Sequence, residues 1–343
     1  MMKITITDEM KRWASFGMNT TWLSNKTGYS KKDLIKAFRD GLLTKPFGTK
    51  LKFYCDYDFF EKIDTESKAY WLGFLYADGC VTDTGVVNLL LAGYEKEHLA
   101  KFKRAINAEH KLEERSDKMT SAKGVTRMQA CVKIRLHSKL MCGHLERLGV
   151  KPRKTFNLRF PTPDQIPDHL LHHFIRGYFD GDGCICHSHG DRYNGSWQFS
   201  VVSSNGFVRQ LKKVLLQYVR IDSWTIYPHP ESKGISYFSV RTVPDINRLR
   251  DYLYQDATIY LERKKTKFSE LPIRYFPSLR HEIIETLGDR LKKEGLVKFT
   301  RADVVRLYKT NYNAAFVPIT KLEKAGTIKR IERKEGILYY SFV

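Results

Sequence analysis

Two spacings of apolar residues alternate along the middle of the chain. Alternate apolar positions, as in VVNLLLAG at 86–93, are typical of a half-buried strand, whereas spacings of three and four, as in KEHLAKFKRAI at 96–106, are typical of an amphipathic helix. After residue 79 these spacings predict, in order, a strand, a helix, two strands and a helix, at 86–93, 96–106, 110–116, 128–136 and 138–150. The same order returns at 197–204, 206–219, 223–229, 235–242 and 244–254. The pattern predicts an α+β fold.

A ten-residue segment occurs twice. YWLGFLYADG at 70–79 and FIRGYFDGDG at 174–183 share bulky residues, a glycine, aromatic residues, a small residue, an aspartate and a glycine, 104 positions apart. Each copy is predicted to be helical, and a short strand follows it, at 80–82 and 184–187. Because a repeat sets the architecture before any single motif does, we predict two pseudo-symmetric αββαββα halves that form antiparallel sheets.

Small residues lie four positions apart in each repeated helix, Gly73 with Ala77 and Gly177 with Gly181. Such a stripe lets another backbone approach closely. Glycine inside a helix costs about 0.5–1 kcal/mol relative to alanine, so these glycines need a packing reason. The simplest reason is that the two helices pack on each other.

This packing would bring Asp78 and Asp182 together at the ends of two adjacent helices, each before a glycine that ends the helix. A carboxylate there opposes the helix dipole, and two facing carboxylates repel each other. A divalent cation reverses both effects, and Mg²⁺ is commonly held by one or two carboxylates with phosphate oxygens and water. The alternative is that both aspartates only cap turns, since Asp-Gly is a common turn dipeptide.

The net charge of the chain indicates the kind of partner that it binds. The 59 Lys and Arg residues exceed the 38 Asp and Glu residues, which leaves a net charge of +21. The excess is spread over both ends and the middle, which suits an extended contact with a phosphate backbone. A basic surface without a specific ligand is the alternative.

Other features bound the compartment. The six cysteines form no CxxC pair, so we expect reduced, mostly buried thiols. The first residues lack the apolar core of a signal peptide, and no stretch reaches the roughly 18–20 apolar residues of a membrane span. We therefore expect a cytoplasmic protein without a membrane partner.

The two repeats resemble a known signature. WLGFLYADG at 71–79 and IRGYFDGDG at 175–183 are similar to the paired nine-residue motifs of the LAGLIDADG homing endonucleases, and the resemblance covers about residues 53–268. It implies two four-stranded sheets that straddle DNA, with the eighth-position acid of each motif, Asp78 and Asp182, as metal ligand. The backbone carbonyls of Ala77 and Gly181 are possible further ligands.

The motifs depart from the signature at two positions. Tyr76 replaces the sixth-position Asp in the first copy, whereas Asp180 retains it in the second; the family does not use this position as its essential metal ligand. Arg176 replaces a small residue at position two, which affects only helix-face detail.

Family members often place a basic residue near the active site after the last helix of each half. VKPRKTF at 150–156 and YLERKKTKF at 260–268 share an Arg-Lys pair there, so Lys154 and Lys264 are candidates for orienting water or stabilising phosphate charge. Solvated linker lysines are the alternative.

The strands and the ends of the chain supply candidate DNA contacts. On the strands we expect polar residues at Lys133, Arg135, Gln198, Ser200 and Arg241 to face DNA, although the sequence does not fix which face that is.

Residues 20–43 resemble a helix-turn-helix, with a Ser30-capped helix that carries Lys31, Lys32, Lys36 and Arg39; a helical hairpin that packs on the main body is the alternative. Residues 301–342 resemble a winged helix. Helices are predicted in the segments 301–310 and 313–330, and the second helix ends at Gly326. The basic residues of this part are Lys321, Lys324, Lys329, Arg330 and Arg333; a protein-binding module is the alternative.

Segments that contain proline and glycine mark the boundaries between four predicted modules. They are a helix-turn-helix-like module at 1–50, the two halves at 51–155 and 156–276, and a winged-helix-like module at 277–343.

Together these features predict a monomeric, site-specific double-strand DNA endonuclease. It would use Mg²⁺, with Mn²⁺ able to substitute, on a long imperfect palindrome. The alternatives are a non-cleaving DNA-binding regulator and an intron-splicing maturase, which would bind intron RNA.

Overall fold

Capping residues set the bounds of three helices at the start of the chain. The computed structural model describes residues 4–45, 51–120, 124, 126–188, 196–271, 279–308 and 312–343. The helices are α1 (Asp8–Ser15), α2 (Thr20–Thr27) and α3 (Lys31–Arg39). The side chains of Thr7, Asn19 and Ser30 accept hydrogen bonds from N–H groups of the first turns. Gly28 ends α2 with φ 75°, a left-handed conformation that favours glycine.

These helices share one hydrophobic core with the segment that follows. Trp22 stacks on Tyr54 with ring centroids 5.5 Å apart, and its Nε1 donates to Glu109 Oε2 at 2.5 Å. Met18 forms a β-bridge with Leu51. The helical hairpin of residues 20–43 therefore packs on the main body. The basic side chains predicted on α3 are all exposed: Lys31, Lys32, Lys36 and Arg39.

The next seven elements follow the predicted order. They are α4 (Glu66–Ala77), β1 (Gly79–Thr82), β2 (Val86–Ala92), α5 (Lys96–Ala105), β3 (Glu113–Thr120), β4 (Thr126–His137) and α6 (Lys139–Arg147). The strands form an antiparallel sheet in the order β1-β2-β4-β3. Val132, Ile134 and Leu136 alternate into the core, where α5 and α6 pack against the sheet.

The second repeat has the same order. It comprises α7 (Leu171–Asp182), β5 (Gly183–Ser188), β6 (Ser196–Ser204), α8 (Asn205–Val219), β7 (Thr225–Pro228), β8 (Ile235–Val240) and α9 (Val243–Tyr254). Its antiparallel sheet has the order β5-β6-β8-β7, which matches the first sheet strand for strand. The predicted α+β class is confirmed, and the described elements follow the order αββαββα in both halves.

Three of the described helices lie where the sequence pattern predicts none: α1, α10 (Glu262–Ser269) and α11 (Leu279–Lys293). Helix α10 includes most of the segment 260–268 that carries Lys264. Only Lys264 and Phe268 are buried in it, too few to give an apolar period. Helix α1 is likewise absent from the sequence prediction, because a helix of only eight residues gives a short periodic signal.

The last part of the chain has its own hydrophobic cluster. It comprises α11 (Leu279–Lys293), β9 (Phe299–Thr300), α12 (Arg301–Leu307), α13 (Tyr312–Lys324), β10 (Ile328–Lys334) and β11 (Ile337–Phe342), with sheet order β10-β11-β9. Ile283, Val304 and Ile319 of the three helices meet Ile328 and Tyr340 of the hairpin in this cluster. Glu335 and Gly336 make the hairpin turn with φ 49° and 81°.

Some predicted features fall outside the described residues. These are the end of the first predicted module at 46–50, the boundary between the last two modules at 276 and 277, and the last two residues of the helix predicted at 301–310. Three of the six cysteines are buried, whereas Cys80 and Cys184 are exposed at the starts of their strands. Within the described residues, every helix is too short or too polar to cross a membrane.

The two repeated helices pack backbone to backbone. A Cβ placed on Gly73 would lie 2.0 Å from the carbonyl oxygen of Phe174, and one on Gly177 would lie 2.0 Å from that of Tyr70. These are reciprocal contacts of α4 on α7. A carbonyl oxygen cannot move aside as a flexible side chain can, so the glycines are required by the packing.

We expect Gly73→Ala or Gly177→Ala to lower the free energy of unfolding by about 2–3 kcal/mol, because the added methyl group forces the helices apart. Gly143 is a matched control, since it lies in α6 and a Cβ there would meet nothing within 4 Å. Gly143→Ala should raise the stability by about 0.5–1 kcal/mol. Urea unfolding measures all three. If the three variants behaved alike, the close approach of α4 and α7 would be disproved.

Candidate active site

Asp78 and Asp182 lie together where α4 and α7 end. Asp78 caps α4, and Asp182 is the last residue of α7. Because Gly181 has no side chain, the Asp78 carboxylate lies over it: a Cβ on Gly181 would be 3.1 Å from Asp78 Oδ2. The packing of the repeated helices therefore brings the two acids to one place.

The surroundings of both acids disfavour their negative charge. Desolvation by the surrounding protein, followed by the neighbouring Asp182, raises the pKa of Asp78 to about 6. Desolvation also raises the pKa of Asp182. The Asp78 side chain is nevertheless open to solvent, so protein atoms crowd the carboxylate without closing it off. Charge crowding in an accessible site is what a divalent cation relieves.

Both candidate lysines contact the ends of these helices. Lys154 Nζ donates to the carbonyl oxygens of Ala77 at 3.0 Å and Gly79 at 2.7 Å. Lys264 Nζ lies within hydrogen-bonding distance of four carbonyl oxygens: those of Phe179 at 2.6 Å, Asp180 at 2.7 Å, Gly181 at 3.1 Å and Gly183 at 2.6 Å. The C-terminal end of each helix carries partial negative charge, which disfavours the neighbouring aspartate. The ammonium group of each lysine offsets this charge.

The two lysines are not equivalent. Lys264 is 4% exposed, which is incompatible with a solvated linker lysine, and desolvation lowers its pKa to about 8. An ammonium has three N–H groups, so the four carbonyls occupy all of them. Lys154 is only partly buried and uses two, which leaves one N–H for a ligand. The carbonyls of Ala77 and Gly181 each accept one lysine bond and keep a second lone pair.

For the endonuclease that the sequence predicts, we expect Lys154→Met to slow DNA cleavage about 10²-fold with little change in stability, because it removes a donor that faces the site. Lys264→Met should instead lower the free energy of unfolding by about 2–3 kcal/mol, because it leaves buried carbonyls without a donor. Cleavage rates and urea unfolding measured on both variants test this division. Equal effects of the two substitutions in both assays would contradict it.

Asp180, at the sixth position of the second motif, has a role that the sequence did not indicate. It is 1% exposed and accepts hydrogen bonds from the Tyr70 hydroxyl and the Leu261 N–H, each at 2.8 Å. Desolvation raises its pKa to about 6. The acid therefore joins α7 to α4 and to the start of α10. In the first motif, Tyr76 at this position donates to the Leu148 carbonyl instead.

Arg176, at the second position, also does more than alter a helix face. It is fully buried and donates to the Ile259 carbonyl at 2.8 Å, the Leu253 carbonyl at 2.7 Å and Glu66 Oε1 at 2.6 Å. Glu66 begins α4, so the ion pair ties the two repeated helices together at the ends away from Asp78 and Asp182. We call Glu66, His173, Arg176 and Asp256 the latch.

The side chains of His172, His173 and Asp256 lie close enough together to hold a metal ion. Arg176 lies 2.9 Å from His173 Nδ1, and since arginine only donates, Nδ1 must accept. Neutral His173 then carries its proton on Nε2 and has no free lone pair for a metal. The group is better explained as part of the latch.

Acid should weaken the fold through this histidine. Desolvation, and then Arg176, lowers the pKa of His173 to about 4, so the folded state favours neutral imidazole. The associated stability is complete above the unfolded pKa of about 6.5 and is lost as pH falls towards 4, by at most about 1.4 kcal/mol per pH unit. His173→Gln should flatten the dependence of the unfolding free energy on pH between these values. An unchanged slope would contradict the assignment.

The candidate strand residues lie on the sheet faces away from the helices. Lys133 and Arg135 alternate with the core residues of β4, and Arg135 donates to Asn88 at 3.3 Å. Gln198 and Ser200 alternate with Phe199 of β6, and Arg241 is exposed just after β8. Lys133 and Ser200 are 9% and 8% exposed. Lys133 and Ser200 therefore have less solvent-exposed surface for contact with a ligand than Arg135 and Arg241.

The candidate residues of the last module are all exposed: Lys321, Lys324, Lys329, Arg330 and Arg333. Lys321 and Lys324 lie on α13, and the other three lie on β10. Arg330 is held by Glu323, with Nε 2.5 Å from Oε1. Arg333 donates to the Gly336 carbonyl at 3.2 Å.

Comparisons with known proteins found similar folds but no sequence match. No family model matches the chain, and neither does any curated protein. Among similar solved structures is the homing endonuclease I-WcaI bound to its DNA recognition sequence, with 10% identity over 62% of this chain and 90% of that one and a TM-score of 0.41. Another is the LAGLIDADG homing endonuclease I-GzeII in complex with a DNA target, with 13% identity over 72% and 98% and a TM-score of 0.39.

The N-terminal LAGLIDADG domain of DUF199/WhiA is also similar, with 12% identity over 58% of this chain and 89% of that one and a TM-score of 0.34. The structures similar to this protein thus include LAGLIDADG homing endonucleases and a LAGLIDADG domain of another kind. These likenesses concern the fold alone.

Proposed function

We propose that this protein is a divalent-metal-dependent endonuclease of double-stranded DNA. The observation that carries the proposal is the pair of acids, Asp78 and Asp182, at two adjoining helix ends. The net charge of +21 supplies the attraction to a polyanion. Because one chain provides both acids, a monomer would contain all the catalytic carboxylates needed to cut both DNA strands.

The donor set fits a hard cation. Two carboxylates whose pKa values are raised by desolvation, with backbone carbonyls beside them, match the oxygen ligands that Mg²⁺ and Mn²⁺ prefer. When bound, the metal would polarise the phosphate and activate water. The chain itself would hold the metal through Asp78 and Asp182 and donate a hydrogen bond from Lys154 to the phosphate.

The sheet faces and the terminal modules would bind the flanking DNA. Arg135 on the first sheet and Arg241 just after β8 would contact the duplex on either side of the cut. The order of helices and strands from α11 to β11 supports the predicted winged helix, and α3 carries an exposed row of basic residues. We infer that these modules lengthen the site. Removal of residues 277–343 should then shorten the footprint, whereas an unchanged footprint would argue against DNA contact by the last module.

Selection from a randomised duplex library tests the activity and identifies the target in one experiment. Incubation with Mg²⁺ or Mn²⁺ should yield cut duplexes that share a long, imperfectly palindromic sequence, and EDTA should prevent cutting. DNA binding without cutting in either metal would instead favour a non-cleaving regulator. Tighter binding to structured intron RNA than to duplex DNA would favour a maturase.

A further inference from the structure

A pocket of about 380 Å³ lies at the edge of the first sheet. Lys52 and Phe53, which follow the N-terminal helices, form one side, and His110 and Lys111, which precede β3, form another. The end of β4 closes it with Arg135 and His137. None of these residues belongs to the site of Asp78 and Asp182.

The lining of this pocket is basic. Lys52, Lys111 and Arg135 each carry a positive charge, and Glu113 is the single carboxylate of the lining. The lining therefore has two more positive than negative charges, and all four of these groups are exposed. This arrangement suits an anion that keeps part of its hydration.

A buried imidazole and an exposed ring complete the wall. His110 is 9% exposed, and its Nδ1 has no hydrogen-bond partner among the described residues. Desolvation, and then the nearby His137, lowers the pKa of His110 to about 4, so it is neutral at pH 7. A neutral imidazole can donate one N–H to an oxygen ligand. Phe53 is 45% exposed and lies against His110, with ring centroids 5.6 Å apart.

The position of the pocket identifies the source of the anion. Arg135 and His137 lie on the same side of β4 as Lys133, because side chains alternate along a strand. The pocket is therefore continuous with the sheet face assigned to DNA. On its other side, Leu51 pairs with Met18, which lies between α1 and α2.

We propose that this pocket binds a phosphate group of the DNA backbone just beyond the end of the first sheet, where the duplex passes towards the N-terminal helices. The inference rests on the proposed binding of duplex DNA. Lys52, Lys111 and Arg135 supply charge, and His110 supplies a directed hydrogen bond. The pocket fixes the position of the duplex relative to Asp78 and Asp182.

The main test compares two variants on a duplex that carries the selected site. Lys52→Ala/Lys111→Ala should weaken binding about tenfold at 0.15 M salt and reduce the slope of log K against log salt by about 1–2. Arg104→Ala is the matched control, because Arg104 is a 62% exposed cation on α5 and does not line the pocket. It should change affinity less than twofold.

Single methylphosphonate substitutions locate the contact. Neutralising one phosphate outside the cut positions should weaken binding to the unmodified protein and have no effect on the double variant. NMR of the His110 ring should show a shift with the duplex and none with inorganic phosphate at the same phosphate concentration. Saturable binding of inorganic phosphate alone would overturn the assignment to the DNA backbone.

Two outcomes separate this inference from the proposed function. If the unmodified protein binds duplex DNA and the double variant matches Arg104→Ala in affinity and salt slope, the pocket assignment fails and DNA binding stands. If the unmodified protein does not bind duplex DNA, both fail.

Discussion

Asp78→Asn or Asp182→Asn should slow cleavage of both DNA strands in Mg²⁺ on the order of 10³-fold, because each removes a carboxylate from the proposed metal site. Affinity for the duplex should stay within a fewfold, since phosphate contacts elsewhere supply most of it. The rates are measured on a duplex recovered from the library selection, and the affinities in Ca²⁺. Undiminished cutting by either variant would reject the metal-ligand assignment.

A neutral substitution nearby provides the control. Asp83 lies in the turn between β1 and β2, with its side chain 75% exposed and 4.0 Å from Arg153. Asp83→Asn removes the same charge close to the site without touching the helix ends, so its cleavage rate should match that of the unmodified protein.

A second readout does not depend on cutting. Divalent metal should raise the melting temperature of the unmodified protein and of Asp83→Asn, and should have little effect on Asp182→Asn. A metal-induced shift retained in Asp182→Asn would place the metal elsewhere. Loss of cutting together with a retained metal shift would assign Asp182 to a step other than metal binding.

The central helix pair could be predicted from the sequence because its cause is local. Gly73 and Gly177 stand at equivalent positions of a repeat, and the reciprocal backbone contacts follow from their lack of a side chain. The site followed from the same fact, since Asp78 and Asp182 hold equivalent positions at the ends of those helices. A periodic pattern and a repeat are visible in a single sequence.

The contacts that support the site could not be predicted from the sequence, because they join distant segments. Glu66 meets Ile259 across 193 positions, and Lys264 meets Phe179 across 85. The helix that carries Lys264 has two buried residues and no apolar period. Tertiary contact decides its structure, so the sequence alone left a solvated linker lysine as an open alternative.

The latch should give the largest effect on stability. Arg176→Leu removes the guanidinium from Glu66, whose side chain is only 18% exposed, and leaves a carboxylate without its cation partner. Breaking one side of such a pair costs about 3–5 kcal/mol, because the remaining charge loses its cation partner and the carbonyls of Leu253 and Ile259 lose their donor. Urea unfolding should show this loss.

A double-variant cycle separates the ion pair from simple loss of packing. Glu66→Gln in the Arg176→Leu background removes the stranded charge, so the double variant should be more stable than Arg176→Leu alone. Arg104→Leu, which also removes a guanidinium but from an exposed pair, should change stability by less than about 0.5 kcal/mol. If Glu66→Gln and Arg176→Leu acted additively, their effects would come from separate contacts and the latch would not exist. Because Glu66 begins α4 and Arg176 lies on α7, a real coupling would show that the ion pair fixes the register of the two helices whose far ends carry Asp78 and Asp182.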